Sequence, residues 1–231
     1  MSESLAIFAK MPHPGGVKTR LAPPLSLAQA AAVHQACVLD VVALATAAVV
    51  DVRIFHDDRP GADAYFARAF PGIGLSAQCP GNLGDRLSDA FSRMFAEGVE
   101  RVVIIGADSP TLPPDRLSEG LAALHRHEIA LGPATDGGYY LVAIRRGAWP
   151  RARALFEDIL WSREQVLEMT LARAEAVGFR PHLLEPWYDI DRIGDLERAR
   201  RDTRAHSHLR KLLSQGAFRF DGRERIVPPG E

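Results

Sequence analysis

The amino-acid sequence predicts a three-layer α/β protein, in which a mostly parallel sheet with one antiparallel edge strand carries helices on both faces. Two observations carry that expectation. Short apolar runs of strand length alternate along the chain with longer segments of helical period. One run, Gly138 to Arg145, alternates and is aromatic where the others are apolar throughout. The 231 residues suffice for one domain with a full sheet between two helical layers.

The first strand is read at Leu5 to Ala9, an apolar run that ends in a Pro- and Gly-bearing loop. An alanine-rich helical pattern then opens at Ser26 and runs to Val50. Strands at Val52 to Phe55, Leu75 to Cys79, Val102 to Gly106 and Ile129 to Gly132 alternate with helices at Asp63 to Phe70, Leu83 to Glu97 and Pro114 to His127. Pro114 suits a first helical turn. The turn Pro133 to Gly137 joins the fifth strand directly to the run at Gly138, so that run is expected to pair antiparallel at an edge. A helix is expected from Ser162 to Ala176, with Ser162 and Gln165 spaced for a capping box, and a last one from Gly194 to Leu213. Residues 1–213 therefore read as one domain, and residues 214–231, ending Val227-Pro228-Pro229-Gly230-Glu231, as a loosely ordered tail.

Composition narrows the function classes. Hydrophobic content of 47% and charged content of 25% are typical of a soluble globular chain, and a net charge of -1 supplies no global attraction to nucleic acid or membrane. From Arg192 onward ten Lys and Arg stand against six Asp and Glu, on a helical pattern that reads as a solvated face. Cys37 and Cys79 are far apart without metal-ligand spacing and read as buried or incidental thiols. The N-terminus lacks the basic and apolar regions of a signal peptide, and no apolar run is read as reaching the roughly 18 residues of a membrane span. A reduced, cytoplasmic protein is expected. None of the eight histidines has a metalloprotease or triad context, His125 and His127 reading as surface residues, and no G-x-S-x-G elbow supports a serine hydrolase.

Chemistry concentrates at the strand ends. Lys10, Gly15, Gly16, Lys18, Thr19 and Arg20 lie in the loop between the first strand and the first helix. Such a loop holds phosphate well, because glycines admit the backbone to the anion while Lys and Arg supply charge. Its spacing is neither a Walker A sequence nor the dinucleotide G-x-G-x-x-G, which disfavours ATPase and NAD-dependent readings; a plain surface turn is the alternative. The fourth strand ends in Gly106-Ala107-Asp108-Ser109-Pro110, which puts a carboxylate where open α/β sheets bind ligands, either to hold a hard cation or to cap the next turn. Asp189 and Asp191, two apart on an extended segment, share a side and act together, or Asp191 caps the last helix. With Asp108 they offer Mg²⁺ the one or two carboxylates it takes, water and phosphate oxygens completing the octahedron.

Three further places carry polar or aromatic side chains. Asp136-Gly137-Gly138-Tyr139 is either a ligand-facing turn or a plain hairpin turn. In Asn82-Leu83-Gly84-Asp85-Arg86, Gly84 allows close packing and Arg86 reaches phosphate or faces solvent. Trp161 stacks on a ring, seals the cleft or packs at a helix entry.

Taken in order, Lys18-Thr19-Arg20-Leu21, Gly106-Ala107-Asp108-Ser109-Pro110, Asp136-Gly137-Gly138 and Asp189-Ile190-Asp191 resemble the motifs of the GT-A nucleotide-diphospho-sugar transferase superfamily, over roughly residues 5 to 213. The chain looks most like a poorly characterised bacterial GT-A-like family, sometimes linked to selenium-domain or arsenosugar pathways, in its K-T-R-L loop, N-L-G-x-R turn, G-A-D-S-P strand end, D-G-G-Y-Y turn and I-x-W-S segment. It is similar to phospholactate guanylyltransferases and molybdenum-cofactor nucleotidyltransferases at the first loop and the Asp-x-Pro end.

The resemblance implies a Rossmann-like GT-A fold in which Lys18 and Arg20 contact the nucleotide's phosphates, and Gly84 and Arg86 lie near the nucleoside. It implies that Asp108 holds Mg²⁺ or Mn²⁺, that Asp191, or else Asp189, completes the metal site, and that Asp136, Gly137, Gly138, Tyr139 and Trp161 face the second substrate. There are departures. The L-A-A-G-x-G-T-R-M opening of nucleotidyltransferases is replaced by Ala9-Lys10-Met11-Pro12, the D-x-D of many glycosyltransferases is reduced to Asp108, and Arg192 stands where relatives often carry Thr.

The expectation is an Mg²⁺-dependent transferase using a nucleoside triphosphate or nucleotide-sugar and a small-molecule acceptor, nucleotidyl transfer being favoured over glycosyl transfer. Nucleic acid and membrane are not expected partners, and oligomeric state is left open. The rival from another class is a non-catalytic nucleotide-binding regulator that keeps the fold.

Overall fold

Alternating side chains sort the apolar runs to two faces of one sheet. The computed structural model describes every residue except Met1, Val50, Ser162, 216–217, 222–225 and 228–231. Its elements run β1 (Glu3–Ala9), α1 (Leu27–Ala48), β2 (Val52–His56), α2 (Ala62–Ala69), β3 (Gly74–Ala77), α3 (Leu83–Ala96), β4 (Arg101–Gly106), α4 (Asp115–Ala123), β5 (Ile129–Pro133), β6 (Tyr139–Arg145), α5 (Trp149–Ala152), α6 (Val166–Ala176), β7 (His182–Leu183), α7 (Ile193–Asp202), α8 (His208–Leu213), β8 (Arg219–Phe220) and β9 (Ile226–Val227). Short 3-10 turns at Thr19–Leu21, Arg146–Ala148 and Arg153–Phe156 join them.

Seven strands form one sheet in the order β3-β2-β1-β4-β6-β5-β7, parallel except for β6. Leu5, Ile7, Val103, Ile105, Leu141 and Ala143 point to a core shared with α1, α2 and α4. Their neighbours Ala6, Val102, Ile104, Val142 and Ile144 point to a second core with α3, α5 and α6. This is the expected three-layer α/β arrangement. A third cluster packs Val33 and Cys37 of α1 against Leu196 of α7 and Leu209 and Leu213 of α8.

Several expectations are corrected. β6 is antiparallel, as read, but lies between β4 and β5 rather than at an edge. Only Tyr139 and Tyr140 make it look half-polar; residues 140–144 are all buried, so both faces are covered as in any central strand. The last helix is broken into α7 and α8, because Asp40 on α1 accepts from the backbone amides of His208 (2.7 Å) and Leu209 (2.9 Å) and starts a new helix there. The helix expected from Ser162 begins at Val166, because the residues before it pack against the Gly137 turn; Ser162 itself lies outside the described residues. The 22-residue α1 is long and apolar enough to cross a membrane (mean hydropathy 1.6), contrary to the reading that no run reaches that length, but 67% of that window is buried inside the protein. In the C-terminal segment expected to be loose, Phe218 and Ile226 join the third cluster and β8 pairs with β9, while 216–217, 222–225 and 228–231 lie outside the described residues.

Candidate functional site

The carboxyl ends of β1 and β4, side by side in the sheet, place the first loop next to Asp108. Gly15 (φ +79°) and Lys18 (φ +49°) both adopt left-handed backbone, an uncommon conformation for a residue with a Cβ. Leu21 N–H donates to the Lys18 carbonyl (3.0 Å), closing the turn over the buried Leu21 side chain. The Lys18 side chain is therefore only 2% exposed, and its ammonium meets Asp108 Oδ1 at 2.5 Å and donates to the Ile190 carbonyl.

Two opposed effects act on this pair. Burial, the largest single effect, works to lower the Lys18 pKa, but Asp108 together with Cys37 and Asp191 outweighs it and the ammonium is pushed up to about 12. Desolvation likewise works to raise Asp108, yet the adjacent Lys18 charge and its hydrogen bond hold the carboxyl below its ordinary range. The Asp108 side chain is 48% exposed, so the pair is buried from the lysine side only.

The second carboxylate strand docks on the same place. Ile190 N–H donates to the Asp108 carbonyl (2.8 Å), and Ser109 Oγ donates to Asp189 Oδ1. Desolvation, then repulsion from Asp108, pushes the Asp189 carboxyl up to about 7. Asp191 takes a different partner, Arg20 Nη1 at 2.8 Å, with side chains 45% and 61% exposed. It does not cap α7. Asp195 Oδ2 does that, accepting from the amides of Asp191 (3.1 Å) and Arg192 (2.7 Å) and leaving the Asp191 carboxylate free to face the loop.

A cleft of about 210 Å³ opens beside these groups, lined by Lys10 and Gly16, by Asp57, Asp58 and Arg59 after β2, by Gln78 and Cys79 after β3, and by Arg86 on α3. Gly16 lets Arg59 come close, since a Cβ there would lie 2.9 Å from Arg59 Nη2 and would displace the end of that side chain. Asp57 Oδ1 accepts from Met11 N–H (2.7 Å) and pins the loop to β2, and Arg86 reaches Gln78 Oε1 at 3.4 Å. The residues 57–59 and 78–79 were not singled out from sequence, although their place just after parallel strands is the available signal. His34 was missed as well. Buried on α1, it holds the Lys10 carbonyl through Nε2 (2.9 Å), and desolvation lowers its pKa.

The remaining sequence candidates divide. Thr19 is exposed at the start of the 3-10 turn. Gly84 is buried, with the Phe156 carbonyl 2.5 Å and Trp161 3.0 Å from where a Cβ would stand, so its observed work is packing α3 against the 153–161 segment. Asp136 Oδ1 accepts from Gly138 N–H (3.0 Å) within its own turn, and Gly137 (φ +91°) packs against Glu164. The Tyr139 ring sits edge-on to Trp161 at 6.4 Å, while burial pushes its phenol far above the ordinary value beside Thr170. The turn and Trp161 thus meet through Tyr139, and Asp136 lies within electrostatic reach of Asp189.

Among the described residues no three or more His, Cys, Asp or Glu side chains gather as a metal cage. The donor set nonetheless fits a hard cation that asks for few protein ligands. Asp189 is held by Ser109, the residue next to Asp108, and the repulsion Asp108 exerts on it is the condition a divalent ion relieves.

The family described as an uncharacterized protein conserved in bacteria, DUF2064, matches residues 39–163. No curated protein matches the sequence. A solved structure from Desulfovibrio desulfuricans G20, provisionally described as a nucleotide-diphospho-sugar transferase, is 29% identical, with 92% of this chain and 94% of that chain covered at a TM-score of 0.86. CMP:2-keto-3-deoxy-manno-octonic acid synthetase complexed with CTP matches at 16% identity, 87% and 98% coverage and a TM-score of 0.53. Rv0371c of Mycobacterium tuberculosis H37Rv in complex with manganese also matches at 16% identity, with 86% and 97% coverage and a TM-score of 0.53. The last two show the fold alone: the three-layer α/β arrangement expected of this chain.

Proposed function

The chain belongs to the DUF2064 family, and from its cleft we propose that it is a divalent-metal-dependent transferase using a nucleoside triphosphate or nucleotide-sugar and a small-molecule acceptor. One observation carries the reading. Three sequence-distant segments meet at the rim of the sheet, where Lys18 pairs with Asp108, Arg20 with Asp191 and Ser109 with Asp189, and the same first loop contributes Lys10 to a cleft lined also by Arg59 and Arg86. Similarity to a nucleotide-diphospho-sugar transferase, to a CTP-bound synthetase and to a manganese complex supports it.

The exposed cations Lys10 and Arg20 and the half-buried Arg59 and Arg86 bind phosphate oxygens. Asp108 and Asp189 would hold Mg²⁺ or Mn²⁺, with Asp191 on the Arg20 side. When bound, the ion neutralises charge that develops on the phosphate oxygens. In nucleotidyl transfer an acceptor oxygen bonds to the α-phosphorus as the bond to the bridging oxygen breaks, and pyrophosphate leaves. The cationic loop stabilises that departing charge. No protein nucleophile is needed, since positioning and charge suffice. Asp136, Gly138, Tyr139 and Trp161 orient the acceptor.

Nucleotidyl transfer is favoured because Ser109 and Pro110 follow Asp108 where many glycosyltransferases carry a second aspartate. Glycosyl transfer is the second reading, supported by the likeness to the Desulfovibrio protein. Incubation with Mg²⁺, the common nucleotides and an acceptor panel separates them. Nucleotidyl transfer releases pyrophosphate, glycosyl transfer from a nucleoside diphosphate sugar leaves a nucleoside diphosphate, and metal-independent binding without turnover would establish the non-catalytic rival.

A further inference from the structure

The Lys18 ammonium sits against two oxygens, Asp108 Oδ1 and the Ile190 carbonyl, both of the hard type that a divalent ion takes. We propose that Lys18 is a tethered cation that competes with the divalent ion for Asp108, so that metal binds firmly only when phosphate arrives with it. The inference rests on the metal-dependent reading above.

Three observations lead to it. The ammonium is held in place rather than resting there, because a left-handed backbone and the buried Leu21 fix the turn and leave the side chain 2% exposed. Asp108 is charge-compensated from inside while its side chain is 48% exposed, so an ion approaching from solvent meets a carboxylate already paired and a positive charge behind it. Arg20 on Asp191 adds a second resident positive charge at the same rim. Among the described residues Asp189 forms no ion pair; it accepts the Ser109 hydroxyl and is repelled by Asp108. An incoming phosphate changes this balance, since its negative charge compensates the ammonium, the guanidinium and the ion together. Metal and phosphate binding are then coupled, each strengthening the other by the same factor.

Calorimetric titration with Mn²⁺ alone, and with Mn²⁺ as its tripolyphosphate complex, tests this without a nucleobase or turnover. Lys18→Met and Lys18→Gln, the latter keeping a neutral donor for the Ile190 carbonyl, should each bind Mn²⁺ alone at least tenfold more tightly than the wild type. Both should also show a smaller gain from tripolyphosphate. If either folded variant binds Mn²⁺ no better than wild type while Asp108→Asn abolishes binding, competition is overturned and the metal-dependent reading stands. If neither wild type nor variants bind Mn²⁺, with or without tripolyphosphate, both fall.

Discussion

Asp189 lies between a like charge and a hydroxyl donor, and its carboxyl is pushed from 3.8 to about 7, chiefly by desolvation and then by Asp108. In metal-free protein the folded chain keeps a proton that the unfolded chain has already released, so this group withdraws stability as pH rises from about 4 to about 7. Asp189→Asn should therefore melt at a higher temperature than wild type at pH 8 and by a smaller margin at pH 5, and an equal difference at both would contradict the assignment. Gly137 is a second residue with a plain consequence. A Cβ at φ +91° would stand 1.9 Å from the Glu164 carbonyl oxygen, so Gly137→Ala should cost at least about 2 kcal/mol by denaturant titration. Residue types at Asp108, Asp189 and Lys18 were legible in the sequence because hard-cation and phosphate chemistry selects them. Their partners were not, since the inward turn of Lys18 and the Asp195 cap at Asp191 depend on backbone conformation that residue order leaves open.

Among the elements, the strand-helix alternation was legible because each apolar run is long enough to mark its own burial, and β1, β2, β4 and β5 stand where the runs stand. Sheet order was not. The place of β6 between β4 and β5 is decided by long-range pairing that local period does not encode. The break between α7 and α8 depends on Asp40, which is distant in sequence and reads as one polar residue in an apolar helix. Asp40→Ala leaves the amides of His208 and Leu209 without their acceptor beside a buried cluster. It should lower unfolding free energy by about 3 kcal/mol and loosen amide-exchange protection in α8 before the central sheet. Uniform loss of protection would contradict this role.

At the scale of the molecule, β1 and β4 are adjacent parallel strands, and the segment carrying Asp189 to Asp191 returns across their carboxyl ends. Topology thus joins three sequence regions that are separately ambiguous. The basic cleft and the carboxylate rim are two halves of one site on this account, and a nucleotide should need a divalent ion to bridge them. Calorimetry of nucleoside triphosphates with wild type and Asp108→Asn, with and without Mg²⁺, measures that bridge directly. The account predicts binding by wild type that strengthens at least tenfold with Mg²⁺ and an Asp108→Asn variant indifferent to the metal; wild-type affinity unchanged by Mg²⁺ would contradict it.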